Sequence, residues 1–327
     1  MKRILIVFLF TGMGLNVLLL GISCSNQTPN TAFIAPAQTV AANNPAWTPT
    51  PTFTFTPTFT ITPTPIPYPI SGFNTPYALA IDSKGNVYVG DMGNSLIKQY
   101  VNGVYNTSWP PKTKNGLVYT SPRAIAVDSS GNLYVVGNVG TGNTVSKYDS
   151  NGDVPPLQYS ASMSTTLYGV AVNNTATVLY VSDSGNSRIV SLSLPAGGLN
   201  TAFNGTGILP LSSIIPYGLA VDSTGRLLVA GSDGNVRVYT SAGSVAATIQ
   251  GFNTPYAVAL DVNNNLYVSD TGNHQIEEFG FVSGGYTSSP VNIIGLGTLV
   301  NPEGIALDSS ANVYVVDSGN GELLQFP

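Results

Sequence analysis

Six residues that occupy the same place in a recurring heptapeptide are the ones whose chemistry suits ligand binding. Four are tyrosines, one is an arginine and one is a glutamate: Tyr77, Arg123, Tyr168, Tyr217, Tyr256 and Glu303. Tyrosine combines an apolar ring with a polar tip, so these rings with one cation and one anion would suit a polar ligand such as a sugar or a peptide segment. The alternative is that the tyrosines only pack between neighbouring structural units, with their hydroxyl groups at the surface.

Residues for metal or nucleophilic catalysis are scarce in this chain. It has one cysteine, Cys24, and one histidine, His274. A single cysteine excludes an intrachain disulfide and a multi-cysteine metal site, and a His-bound metal centre needs more than one histidine ligand. No motif supports a Ser-His-Asp triad through His274. The sequence therefore predicts no catalytic residue, metal or cofactor, and it favours a binding protein over an enzyme.

The heptapeptide begins a unit that recurs six times between residues 70 and 327. Its seventh residue is Asp82, Asp128, Asn173, Asp222, Asp261 and Asp308 in the six copies, at spacings of 46, 45, 49, 39 and 47 residues. Every copy has Ala two residues before this position and Gly or Ala two residues earlier still, alternating with Leu, Ile or Val. The alternation predicts a short strand, and the small residues predict that six strands crowd around one axis.

Two turns follow the heptapeptide in each unit. In the first turn, Gly or Asn stands a few residues after the Asp, as in residues 82–86. A second apolar run then follows, as at 87–89, which indicates a hairpin. A second turn of the form Asp-x-Gly-Asn, as in residues 91–94, leads into a third strand. Copies two and four have Gly137 and Gly231 in place of the second Asp, so we expect altered loops there.

This order of elements resembles the NHL repeat over essentially all of residues 70–327. The resemblance implies an all-β, six-bladed β-propeller, and it implies that the residue after each proline lies near the mouth of the central channel. The last copy supplies three strands, so we expect residues 67–73 to add the fourth and close the ring, leaving no open sheet edge. Similar propellers include lyases and lactonases with a central metal. A lactonase-like site at Glu303 or a lyase is therefore the alternative function.

The N-terminal region predicts export from the cytoplasm. Met1, Lys2 and Arg3 precede an apolar run and then small residues up to Cys24, the order of a secretory signal. Residues 20–24 resemble the lipobox of bacterial lipoproteins, which implies a lipid on Cys24; plain secretion with a free Cys24 is the alternative. We therefore divide the chain into a signal peptide at 1–23, Cys24 with a Thr/Pro-rich disordered linker to 65, and a propeller at 66–327.

Composition limits the possible partners. Charged residues make up 8% of the chain, against about a quarter in a typical protein, and the pI is about 4.6. The chain thus lacks the basic surface that nucleic-acid binding needs. We expect a monomer of the bacterial cell envelope, lipid-anchored or secreted, that binds a protein, peptide or glycan and contacts the membrane only through its anchor.

Overall fold

The computed structural model describes residues 68–106, 120–139, 142–149, 157–159 and 163–327, together with the backbone of 5–11 and 14–20. These residues form strands, turns and short 3-10 segments. None of the described segments is a helix with the length and hydrophobicity of a membrane span. Cys24 and the linker predicted at 24–65 lie outside the described residues.

The described strands form an N-terminal hairpin and, as a separate compact unit, six four-stranded antiparallel sheets. The hairpin consists of β1 (Leu5–Thr11) and β2 (Gly14–Leu20), and β3 is Ile70–Ser71. The sheets are numbered as blades 1 to 6 in chain order. Blade 1 contains β4 (Pro76–Ile81), β5 (Val87–Asp91), β6 (Leu96–Val101) and β7 (Val104–Tyr105), and blade 2 contains β8 (Thr120–Val127), β9 (Leu133–Val139), β10 (Gly142–Tyr148) and β11 (Leu157–Tyr159). Blade 3 contains β12 (Gly169–Val172), β13 (Val178–Asp183), β14 (Arg188–Ser193) and β15 (Ile208–Pro210), and blade 4 contains β16 (Pro216–Val221), β17 (Leu227–Gly231), β18 (Asn235–Tyr239) and β19 (Val245–Gln250). Blade 5 spans β20 (Pro255–Leu260), β21 (Leu266–Asp270), β22 (Gln275–Phe279), β23 (Phe281–Val282), β24 (Gly285–Tyr286) and β25 (Asn292–Ile294), and blade 6 contains β26 (Pro302–Leu307), β27 (Val313–Asp317) and β28 (Glu322–Phe326). Three 3-10 segments lie at Met92–Asn94, Ser184–Asn186 and Thr271–Asn273.

The six sheets are the blades of a β-propeller, as the repeats predicted. The first strands of neighbouring blades, β4, β8, β12, β16, β20 and β26, contact one another around the ring. In blade 5 the small hairpin β23–β24 is inserted before the fourth strand, β25. The first strand of each blade is therefore the inner one, and the candidate binding residue lies in it or, in blade 3, directly before it.

The hydrophobic core consists of six clusters, one in each gap between blades. In the gap between blades 1 and 2, for example, Tyr88 and Ile97 pack against Leu133 and Val135. The corresponding clusters fill the other five gaps. Because the large side chains lie between the sheets, the protein is stabilised mainly by burial of apolar area between neighbouring blades.

Small residues allow the inner strands to approach one another closely. A Cβ atom added at Gly218 would lie 2.7 Å from the Tyr256 carbonyl oxygen of the next blade, and one at Gly304 would lie 2.6 Å from the Tyr77 oxygen. Real Cβ atoms do not approach backbone atoms so closely, since interiors are already packed to contact. This confirms the crowding predicted from the repeat, and it places the closest approach two residues before the Ala that all copies share.

The Asp that ends each heptapeptide organises the following hairpin turn. Asp82 Oδ1 accepts hydrogen bonds from the backbone N–H groups of Lys84 and Asn86, both at 2.9 Å. Asn173, which replaces this Asp in copy three, accepts in the same way from Thr177 and Val178 through its side-chain oxygen. The predicted turns are thus formed by a carboxylate or amide oxygen that satisfies the amides of the loop.

The Asp of the second turn forms a hydrogen bond with the loop that leads into the first strand of its blade. Asp270 is fully buried, and its Oδ1 accepts a hydrogen bond from the Asn253 N–H at 2.6 Å. Blade 4 has Gly231 at this position, and there Ser232 Oγ accepts the hydrogen bond from the Ile215 N–H at 3.0 Å. The replacement in copy four therefore changes the loop as expected, because a different side chain satisfies the same backbone donor.

Blade 5 pairs two acids where blade 1 pairs an acid with a base. Lys98 Nζ lies 2.7 Å from Asp91 Oδ2. At the equivalent place in the ladder Glu277 lies beside Asp270 and shares a hydrogen bond with it, and burial together with the Asp270 charge raises the pKa of Glu277. Burial also raises the pKa of Asp270. The two carboxyl groups therefore repel each other unless one holds a proton.

Replacing Glu277 with lysine is expected to stabilise the protein at pH 7. The ammonium would reach the buried Asp270 carboxylate as Lys98 reaches Asp91, so repulsion becomes a charge-assisted hydrogen bond worth about 1 to 3 kcal/mol. Urea denaturation at pH 7 measures the change. The reverse variant Lys98→Glu in blade 1 is the matched control and should lose stability; a Glu277→Lys protein no more stable than the parent would contradict the assignment.

Candidate functional site

Five of the six candidate residues lie where the inner strands change register. The pairing of β4 with β5 shifts between Pro76 and Ala78, so Tyr77 is left out of the ladder as a β-bulge. The same irregularity occurs at Arg123, Tyr217, Tyr256 and Glu303. A bulge turns a side chain away from the direction that the pleat would give it. The residue before each of these five is a proline, a residue that has no N–H to donate to the ladder and is commonly found at strand starts and bulges.

The four tyrosines form one cluster where the inner strands of the blades begin. The Tyr256 ring is central: its centroid lies 5.6 Å from that of Tyr77, 5.8 Å from Tyr168 and 5.4 Å from Tyr217. The Tyr217 and Tyr256 rings are stacked at 18°, whereas Tyr168 and Tyr217 meet edge to face at 88°. The rings thus come from blades 1, 3, 4 and 5 and pack against one another.

The cluster includes a buried polar atom. The rings contact each other across the inner strands, and the Tyr256 hydroxyl is buried with no hydrogen-bond partner among the described residues. Burial, the Glu303 charge and the neighbouring tyrosines raise the pKa of Tyr256, so this phenol stays neutral. The result is a compact aromatic surface that includes a buried polar atom.

The two charged members of the set flank this cluster. The Arg123 guanidinium lies 4.8 Å from the centroid of the Tyr168 ring, within range of a cation–π interaction. Glu303 is 8% exposed, and Ser318 Oγ donates a hydrogen bond of 3.3 Å to its Oε1. Its Oε2 has no partner among the described residues. Burial and the nearby Asp317 charge raise the pKa of Glu303 to about 7.

A cavity of about 100 Å³ lies among these residues. It is lined by Tyr77, Arg123, Tyr168, Tyr256 and Glu303 and by residues of the inner strands. A larger cavity, of about 380 Å³, lies among the hairpin loops and includes Asp82, Asp261 and Asp308. Those three carboxylates already accept hydrogen bonds from their own turns. We therefore assign the candidate site to the smaller cavity, since the Tyr256 hydroxyl and Glu303 Oε2 in its walls have no partner among the described residues.

The described residues offer no ready metal site. None of their groups of His, Cys, Asp and Glu has three members close enough to hold a metal ion. His274 lies in the turn after β21, where its Nδ1 contacts the Val300 carbonyl oxygen.

Sequence families support the assignment of the fold. Residues 252–279 match the NHL repeat family, and residues 116–138 match a β-propeller repeat family. Together with six blades built on one repeated pattern, these matches decide the family. The chain is an NHL-repeat β-propeller. A comparison with curated protein sequences gives no match.

Solved structures similar to this NHL propeller have different functions. A Bacteroides thetaiotaomicron protein of unknown function is 15% identical, with a TM-score of 0.59 over 79% of this chain and 71% of that chain. The PQQ-bound aldose sugar dehydrogenase of Streptomyces coelicolor is 14% identical, with a TM-score of 0.55 over 78% and 94%. Virginiamycin B lyase of Staphylococcus aureus is 13% identical, with a TM-score of 0.53 over 79% and 97%. At such low identity the likeness concerns the fold alone.

Two features of the site in the NHL propeller were not anticipated from the sequence. Ser318 belongs to the second turn of blade 6, yet its hydroxyl group donates to Glu303. The buried Tyr256 hydroxyl and Glu303 Oε2 have no hydrogen-bond partner among the described residues, a result of how the blades pack that the repeat pattern does not record. The one available signal was that Glu303 stands where other copies have tyrosine or arginine.

Replacing Glu303 with glutamine is expected to make the NHL propeller more stable at pH 8. The folded-state pKa of Glu303 is raised from 4.5 to about 7. Its contribution to the free energy of unfolding is therefore most favourable below pH 4.5 and is lost as the pH rises through 7. The loss of folding free energy amounts to about 3 kcal/mol. Denaturation of both proteins between pH 4.5 and 8 measures it: the difference should grow with pH, and a constant difference would contradict the buried carboxyl.

Proposed function

We propose that this NHL propeller is a non-enzymatic binding protein displayed outside the cytoplasm, and that its ligand is a protein, peptide or glycan. The binding surface, here called the tyrosine mouth, consists of Tyr77, Arg123, Tyr168, Tyr217, Tyr256 and Glu303. The observation that carries the proposal is that five of these residues line one cavity, with Tyr217 stacked on the Tyr256 ring beside it. Tyr256 and Glu303 each keep a buried polar atom without a hydrogen-bond partner among the described residues. Aromatic faces beside a few convergent polar groups are the usual composition of a binding site.

The repeat pattern supports a functional origin for the tyrosine mouth. Positions that build the blades keep one residue type, such as the Ala at positions 80, 126, 171, 220, 259 and 306. The position of the tyrosine mouth instead holds four tyrosines and one residue of each charge. A purely structural role in packing equivalent blades would not require opposite charges in two of them.

Binding can be tested with peptide and glycan arrays probed by the protein lacking its signal peptide. The triple variant Tyr77→Leu, Tyr217→Leu and Tyr256→Leu keeps apolar volume and removes the aromatic faces and hydroxyl groups. Since each aromatic contact contributes about 0.5 to 1.5 kcal/mol, we expect binding to weaken at least tenfold. The control is Tyr105→Leu in the outer strand β7, which should bind as the parent does. Equal binding by the triple variant would overturn the proposal, as would lactonase activity dependent on a stoichiometric divalent metal.

Display at the cell envelope is a separate part of the proposal and has its own test. Intact-mass analysis of protein from a bacterial host should show a mature chain that begins at Cys24 and carries lipid, in the membrane fraction. Cys24→Ser should then remain uncleaved or appear without lipid. A soluble mature parent with a free Cys24 thiol would replace the anchor with plain secretion, and retention of the parent in the cytoplasm would refute the proposed location.

A further inference from the structure

We propose that the group bound in the tyrosine mouth is a zwitterion, whose ammonium pairs with Glu303 and whose carboxylate pairs with Arg123. This inference rests on the proposed binding function and goes further by specifying the chemistry of the ligand. It applies equally to a free amino acid and to a peptide segment that carries both charges.

The first argument is that both protein charges lack partners. Arg123 forms no ion pair with the residues that the structure describes; its guanidinium lies over the face of the Tyr168 ring. Glu303 Oε2 is buried and accepts no hydrogen bond from them. A buried carboxylate without a partner is costly. A ligand that neutralises it recovers that cost on binding, and this gain is specific to a cationic group.

The second argument is the placement of the two charges around the ring. Glu303 belongs to blade 6 and Arg123 to blade 2, with Tyr77 of blade 1 between them. Burial and the Glu303 charge raise the pKa of Tyr77, while Arg123 acts in the opposite direction on the same phenol. The two charged groups therefore both lie near Tyr77 in the wall of the cavity, and they form no ion pair with each other.

The third argument concerns size and the walls of the cavity. Its volume is about 100 Å³, below the roughly 300 Å³ of a pocket for a drug-sized ligand, so the part of the ligand that enters it is a small charged group. Tyr77 and Tyr256 lie beside Glu303, and tyrosine faces attract cations. The walls thus favour an ammonium group at the acidic side of the cavity.

Ligands of other charge fit these observations less well. A neutral ligand would leave the Glu303 carboxylate and the Arg123 guanidinium without a counter-charge. A purely cationic ligand would pair with Glu303 but would face the guanidinium, and a purely anionic one would face the carboxylate. A zwitterion satisfies both charges at once, and its net charge of zero suits a site that holds one charge of each sign.

Calorimetry with simple probes tests the inference on the protein lacking its signal peptide. The zwitterionic probes are glycine, β-alanine, 4-aminobutyrate and 6-aminohexanoate, which separate the two charges by increasing lengths. Methylammonium and acetate each carry one of the charges. At pH 8 at least one zwitterion should bind at least tenfold more tightly than either single-charge probe. Peptides with Lys and Glu side chains at matched spacing distinguish a peptide segment from a free amino acid.

Variants then assign each charge to its residue. Glu303→Gln should abolish the preference for the zwitterion over acetate, and Arg123→Gln should abolish the preference over methylammonium, while each keeps the parent's circular dichroism spectrum. Glu322→Gln, in the outer part of blade 6, is the control and should bind as the parent does. Equal affinity of parent and both variants for the zwitterion would overturn the inference.

The pH dependence provides a second readout. Asp317, Ser318, Tyr77, Tyr256 and Arg123 are the groups that face Glu303. With a pKa of about 7, the carboxyl is roughly nine-tenths ionised at pH 8 and one-tenth at pH 6, so zwitterion affinity should fall about tenfold between them. Affinity that does not change with pH would contradict the pairing of the ammonium with Glu303.

The two proposals fail in different ways. Array binding to neutral glycans that depends on the tyrosines, with no binding of any zwitterion, would leave the binding function intact and refute the zwitterion. Loss of all binding in the arrays and in calorimetry would refute both, and would leave the cavity as a site for ordered water.

Discussion

Replacing Gly218 with valine is expected to destabilise the propeller by about 3 kcal/mol or more. A Cβ atom at this position would lie 2.7 Å from Ala257 Cα and 2.7 Å from the Tyr256 carbonyl oxygen, both in the backbone of the next inner strand. Neither atom can move without displacing blade 5 relative to blade 4. Because valine has a high β-propensity, the lost stability would result from the close approach of the blades and not from an unfavourable backbone preference.

Thermal and urea denaturation of a graded series measures this effect. Gly218→Ala should lose less stability than Gly218→Val, because alanine adds only the Cβ atom. The control is Gly198→Val: Gly198 is exposed, and a Cβ there would meet no atom within 4 Å. We expect the control to differ from the parent by less than about 0.5 kcal/mol. Similar losses at both positions would mean that the inner strands are not tightly packed.

Replacing residues 68–73 with six alternating glycines and serines should open the ring and remove roughly 5 kcal/mol of stability. Strand β3 supplies the fourth strand of blade 6, where Ser71 pairs with Glu322 and Ile70 with Leu323. Phe73 is buried in the gap between blades 6 and 1, with Tyr68 and Ile70 packed beside it. These three side chains link the start of the propeller to its last blade, so their loss weakens the contact between the first and last repeats.

A short outer strand in another blade gives the matched control for this replacement. Strand β7 also has only two residues, Val104 and Tyr105, but it continues directly from β6 of its own blade. Its replacement with serine and glycine should cost about 1 kcal/mol or less, because Val104 is 70% exposed and the ring stays closed. The replacement of 68–73 should also broaden the unfolding transition, since an open ring can unfold from its ends. A transition as sharp and as high as the parent's would exclude a closing role for β3.

Both predictions depend on the same property of the fold. Each hydrophobic cluster lies between two blades, so no blade buries its large side chains alone. A change at an inner strand or at the closing strand therefore affects an interface between two repeats. Changes such as Glu277→Lys act within one blade, and we expect them to be smaller and independent of these two.

The sequence by itself determined the number of blades, the turns and the closing strand. The heptapeptide with its alternating Leu, Ile or Val predicts a strand, and the Asp that follows predicts a turn, because both signals depend on residues that are neighbours in the chain. The small residues at positions such as 218 and 304 report crowding in every copy. Their sixfold recurrence made a weak local signal specific for the fold.

Only the tertiary structure decided what the candidate residues contact. The sequence placed Tyr77, Arg123 and Glu303 at one repeat position, but a β-bulge directs each side chain, and a bulge depends on the register of two strands. The unpartnered Oε2 of Glu303 and the contact between Asp270 and Glu277 likewise depend on how the strands pair and pack. Such contacts join residues by distance in space, and the repeat pattern contains information about position along the chain alone.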